Sequence, residues 1–170
     1  ELFVTTLAAV NGASTISLDD PQGNTFTATF VRGDDKTGLA LIRVPDKKFT
    51  YLALGDNFAG GEVQCSAFPT VAIFSPTPEV LAGHAAPIKP HDPKWLISFP
   101  KNPRLGGGPL TTSEGKIVGV EMTQRDSNPQ QVPAVKLDDL KAFLAADAPK
   151  SAAPGADINY ILMVTATVSK

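Results

Sequence analysis

Cysteine is nearly absent: Cys65 is the only one in 170 residues, so no disulfide can form within the chain. One thiol does not fix a redox compartment. An excess of either charge is lacking: charged residues make up an ordinary 19%, and their balance of −2 gives no electrostatic footing for nucleic acid. Long apolar runs are missing. None reaches the roughly 20 residues that a membrane-spanning helix needs. Helical periodicity is scarce too. It is convincing only over Leu137–Ala146, where Leu137, Leu140, Lys141 and Leu144 fall at i, i+3, i+4 and i+7. Strand patterns separated by turn residues, without helices between them, exclude repeated βαβ units and predict meanders or barrels.

Leu2–Val10 is a β-rich run, and Asn11-Gly12 is a turn signal. Ser14–Leu18 and Thr25–Val31 alternate, the first with Ile16 and Leu18 on one face, the second with Phe26, Ala28 and Phe30. Leu39–Val44 and Tyr51–Leu54 read as further strands. After Gly60-Gly61, strands are predicted at Glu62–Phe68, Val71–Phe74, Lys94–Phe99, Lys116–Met122 and Val132–Val135. The proline-rich stretch Ser75–Pro93 gives no clear assignment. Ala148–Ala156 reads as a linker, and Ile158–Val168 as a closing strand.

Between two of these strands lies Asn102-Pro103-Arg104-Leu105-Gly106-Gly107-Gly108-Pro109-Leu110. Consecutive glycines can take positive φ and turn successive N–H groups toward one point, forming an anion-binding nest. Enzymes use such nests as oxyanion holes. A plain glycine-rich hairpin loop is the alternative reading.

The loop resembles the nucleophile loop of trypsin-like serine proteases, HtrA/Deg branch, whose motif is Gly-Asn-Ser-Gly-Gly-Pro-Leu. Aligned on Gly107-Gly108-Pro109-Leu110, the serine position holds Gly106. Ala8-Ala9-Val10-Asn11-Gly12-Ala13 resembles the family's His-Val-Val-x-Gly-Ala, with Ala8 at the histidine. Asp35–Ile42 resembles Asp-x-x-x-Asp-Leu-Ala-Leu-Leu, with Gly38 at the triad aspartate. Leu54-Gly55-Asp56, Gly61-Glu62-Val63, Phe68-Pro69 and Val132-Pro133-Ala134-Val135 resemble later family segments. Together the matches span about Glu1–Asp147.

The resemblance implies an all-β fold of two packed six-stranded-type barrels with a C-terminal helix. Subdomains fall at about 1–57 and 58–147, followed by a linker at 148–157. Glu1, in place of an initiator methionine, is read as the start of a processed or excised form. The family's strands before the histidine stretch have no counterpart here, so the first barrel is expected to be incomplete at its N-terminus. Residues 158–170 are expected to complete it, within the chain or by exchange that makes a homo-oligomer.

Ala8, Gly38 and Gly106 can neither transfer protons nor form an acyl intermediate. The resemblance therefore implies a pseudoprotease, not an enzyme, exported or periplasmic, and acting in protein or peptide binding. A structural scaffold is the first alternative and a hydrolase with a non-standard site the second. The loop remnant is Leu105, Gly106, Gly107 and Gly108. Peptide-binding candidates are Thr123, Gln124, Gln131 and Val132, along an edge where a ligand could add as a strand. Thr111, Thr112 and Ser113 fall beyond the loop, and Asp34 and Asp35 lack a histidine to orient. No cofactor and no metal is expected: His84 and His91 are separated by Pro87 and Pro90, so no regular element fixes both. Cys65 reads as a buried structural thiol and Trp95 as barrel core.

Overall fold

The computed structural model describes residues 1–20, 22–46, 49, 51–68, 78–89, 92, 94–101, 106–122 and 130–145, together with the backbone of 163–167. The fold is mostly β, with two units packed side by side. The strand expected at Val71–Phe74 and the linker at Ala148–Ala156 lie outside the described residues.

The first unit holds β1 (Leu2–Thr6), α1 (Leu7–Val10), β2 (Thr15–Asp19), β3 (Thr25–Asp34) and β4 (Leu39–Arg43). Much of the expected first strand, Leu2–Val10, is therefore helical. After Thr6 the chain closes one turn, with the Asn11 N–H donating to Leu7 O at 2.8 Å. The strands make an antiparallel sheet in the order β1-β4-β3-β2-β11, where β11 is Met163–Thr167. Its register against β2 runs from Met163↔Asp19 to Thr167↔Thr15. The sheet is open among the described residues, with β1 and β11 as its edges. This differs from the barrel expected for this unit.

β4 shows why the pattern Leu39-Ala40-Leu41-Ile42 is apolar throughout. It is central, and its four side chains are all buried. Side chains of a strand alternate between faces. Ala40 and Ile42 accordingly join Ile16, Leu18 and Ala28 in the core of the first unit. Leu39 and Leu41 point the other way, into a core shared with the second unit. Phe3 and Phe26 both pack edge-on against Phe49, at 5.0 and 5.2 Å between centroids. Phe30 was expected with Phe26 and Ala28, yet it is 48% exposed. The register of β3 against β4 shifts just beyond it, between Phe30 and Arg32.

The second unit is a closed six-stranded barrel, order β10-β7-β6-β5-β8-β9. Its strands are β5 (Gly61–Ala67), β6 (Glu79–Pro87), β7 (Lys94–Ser98), β8 (Pro109–Thr111), β9 (Ile117–Glu121) and β10 (Gln131–Lys136). The unassigned stretch Ser75–Pro93 thus contains a long strand. β6 was hidden because two of its buried inward positions, Gly83 and Ala85, are small and add little to an apolar pattern. Tyr51–Leu54 forms no extended strand. Leu54 makes one isolated bridge to Ile117, clamped by Ile117 N–H to Ala53 O and Gly55 N–H to Ile117 O.

α2 (Leu137–Ala145) turns Leu137, Leu140 and Phe143 inward. Leu140 and Phe143 meet Leu39 and Leu41 of β4, Val120 of β9 and Val135 of β10 in the shared core. Lys141, although on the periodic stripe, reaches outward and donates to Asp56 O at 3.0 Å. Asp138 and Asp139 occupy the first turn, where negative charge favours the helix dipole. At the other end the Arg32 guanidinium lies 4.1 Å over the Phe143 ring and donates to the Phe143 carbonyl. No helix among the described residues is long and apolar enough to cross a membrane.

Candidate functional site

The turn between β3 and β4 is built by Asp34. Its carboxylate accepts from the Thr37 hydroxyl at 2.7 Å, the Thr37 N–H at 3.2 Å and the Lys36 N–H at 3.1 Å. The Thr37 hydroxyl bond leads in holding the carboxyl below its usual range; slight burial opposes it, and the two N–H groups add to it. Asp34 is thus committed to its own turn. The Gly38 N–H closes that turn onto Asp34 O at 2.7 Å. Gly38 takes φ 74°, a conformation that glycine adopts freely. A Cβ here would also meet Met122 Cε at 2.6 Å. We expect Asp34→Ala to lower stability by about 1 kcal/mol, as loss of a comparable capping side chain does, measured as a shift in the urea midpoint.

This turn is tied to α1. The Leu7 N–H donates to Gly38 O at 2.7 Å, which sets exposed Ala8 one residue away. The glycine loop arrives from the barrel. A Cβ on Gly107 would lie 3.6 Å from Thr6 Cγ2, on the residue that precedes α1. Backbone packing therefore gathers the start of α1, the Gly38 turn and the Gly106–Gly108 loop into one neighbourhood. At its three aligned positions stand a methyl group and two glycines. Leu105 lies outside the described residues.

Gly107 has φ 79°. Gly108 is glycine for another reason: a Cβ there would fall 2.1 Å from Ser66 O and 2.6 Å from Ala67 Cβ. The loop is pressed against β5, and Gly108 O accepts from the Glu121 N–H at 2.9 Å.

The other candidates scatter. Gln131 and Val132 begin β10 and pair with Ser98 and Ile97 of β7. Val132 is fully buried in the barrel core, so its side chain supports the wall and cannot touch a peptide. Thr123 and Gln124 are outside the described residues. Thr111 is on β8, facing Gln64 O at 3.5 Å. His84 pairs across β5 and β6 with Glu62 at 2.9 Å, on the exposed side; His91 is outside the described residues. Trp95 sits in the barrel core, edge-on to Phe58 and under the Lys136 ammonium. Two cavities of about 230 and 280 Å³ flank α2, and neither is lined by Ala8, Gly38 or Gly106.

One pair escaped the sequence reading. Glu121 closes the run Ile117-Val118-Gly119-Val120 and is 0% exposed. Its Oε2 accepts from the buried Cys65 Sγ–H at 3.0 Å. Its Oε1 has no partner among the described residues. Burial pushes the carboxyl up to about 7, and the Cys65 bond opposes that only in part. Burial first, then the Glu121 charge and hydrogen bond, drive the thiol far above its ordinary range. Such a thiol stays protonated and inert. The signal available in sequence was a lone acid ending an apolar strand.

Compared with protein-family models and with curated proteins, the sequence finds no match in either.

Proposed function

We propose that the chain is an HtrA-like pseudoprotease domain that binds extended protein or peptide segments. One observation carries this reading: Ala8, Gly38 and Gly106, far apart in sequence, lie on backbone segments linked by the Leu7–Gly38 hydrogen bond and the Thr6–Gly107 approach. Those are the three positions aligned with a protease triad, and none can carry a proton or attack a carbonyl. The pairing of a β sheet with a closed barrel and a C-terminal helix is in keeping with it. What such a neighbourhood retains is shape and main-chain polarity, which suit a ligand added as a strand.

The test has two arms. Incubated with unfolded casein and a fluorophosphonate probe, the domain is expected to give neither fragments nor a labelled serine; either product would overturn the loss of catalysis. On an array of unfolded-protein peptides, a subset is expected to bind, and backbone N-methylation at alternate positions should abolish that binding. Ala8→Trp, at an exposed position, should block the same peptides without changing the thermal midpoint. Peptides that bind equally to this variant, or no binding at all, would remove the peptide reading. A scaffold role is the second reading. The placement of β11 favours it, because an edge strand joined from far along the chain is suited to exchange between copies.

A further inference from the structure

The Glu121–Cys65 pair belongs to the two strands, β9 and β5, against which Gly108 of the glycine loop is seated. Two contacts seat that loop on the barrel: Glu121 N–H to Gly108 O, and the close approach of Gly108 to Ser66. Glu121 thus supplies one contact itself, and its side-chain partner Cys65 is the neighbour of the other. Local opening at Glu121 that breaks its N–H bond also releases Gly108 O. The register places Leu110 of β8 opposite Cys65 and Ala134 of β10 opposite Glu121. Val120 and Met122 flank Glu121 on its own segment. Among the described residues, the titratable group facing its carboxyl is therefore Cys65, and no cation stands there to accept a charge.

We propose that Glu121 is a proton-operated catch for the glycine loop. With its proton, the carboxyl is neutral and fits the closed barrel beside the Cys65 thiol. Without it, Oε1 is a buried anionic oxygen with no partner among the described residues, and the least costly response is local opening that admits water. The segment that yields is the one bonded to Glu121 itself, so Gly108 and its neighbours leave their seat. This device is independent of the peptide-binding reading, since it concerns only how the loop is attached.

Hydrogen exchange at the amide of position 121 reports the bond to Gly108 O directly. Corrected for intrinsic rates, its protection is expected to fall by about tenfold to a hundredfold from about pH 5.5 to about pH 8.5. Amides of β6 and β7, across the barrel, should change far less. The carbon-13 shift of the Glu121 carboxyl should titrate over the same range. Glu121→Gln should give a flat profile at position 121. Cys65→Ala, which removes the donor to the carboxylate, should keep the loss and move its midpoint upward; it serves if the glutamine variant does not fold. A carboxyl that titrates near the ordinary 4.5 overturns the proposal. So does equal loss of protection at position 121 and across β6 and β7, and so does an unmoved midpoint in Cys65→Ala.

Discussion

Gly108→Ala is expected to destabilise the domain by about 3 kcal/mol, the upper part of the range for overpacked sites. The added methyl would sit 2.1 Å from Ser66 O and 2.6 Å from Ala67 Cβ. Neither neighbour is the free end of a flexible side chain. Ser66 belongs to β5, which pairs with β6 on one side and β8 on the other, so it cannot retreat alone. The control is Gly107→Ala, where the nearest atom would be 3.6 Å away and the cost comes from φ 79°. That strain is about 1–2 kcal/mol. Urea unfolding of the two variants separates the mechanisms. Equal losses would show that β5 shifts to accept the methyl. In the sequence the glycine triplet implies both freedom to take positive φ and room for close approach, with no Cβ to keep a partner away. At Gly108 the structure shows the second of these, room against Ser66 and Ala67 of β5, a strand whose place beside the loop no local signal states.

Glu121→Gln is expected to raise stability at about pH 8 by about 3 kcal/mol and to change little near pH 4.5. The folded carboxyl ionises at about 7, above its ordinary 4.5. Between those values the native state keeps a proton that the unfolded chain has lost. Stability from this group is therefore fully present below 4.5, falls as pH rises toward 7, and stays lost above it. A glutamine is neutral throughout and keeps an oxygen for the Cys65 thiol. Asp20 and Asp34 ionise below their usual range, and so they act on the opposite flank, as pH falls through theirs. Subtracting the wild-type profile from that of the variant cancels them. Unfolding free energies that differ by the same amount at both pH values would show that burial does not govern this carboxyl.

The readable parts of the fold were those where pattern and packing coincide. Ile16 and Leu18 alternate and are buried. The helix begins at Leu137 as its period predicts, although Phe143 rather than Lys141 completes its inner face. Other parts depend on partners distant in sequence. β6 is a strand because its small residues leave room inside a closed barrel, and no local signal states that. α1 interrupts a run with strong strand character because the Leu7 N–H finds Gly38 O and the Asn11 N–H finds Leu7 O. At the candidate site, alignment named the positions without supplying their geometry. Val132 looked like a ligand contact from its place beside a loop, yet barrel closure turns it inward. Glu121 stayed unread because an acid at the end of a strand usually marks a turn to solvent. Here the chain runs on into Met122, whose N–H bonds to Pro133 O, and the acid remains inside.

The pairing of β11 with β2 has a consequence for synthesis. β2 and β3 emerge from the ribosome before the barrel strands and can form their hairpin at once. The outer edge of β2 then waits for Met163–Thr167, which is made only after the whole barrel and α2. Through that interval its N–H and C=O groups face other chains as readily as their own. Contacts of such long sequence separation also form slowly. Between the synthesis of β2 and that of β11 the nascent chain thus carries an open strand edge, a form that chaperones bind and that crowded polysomes aggregate.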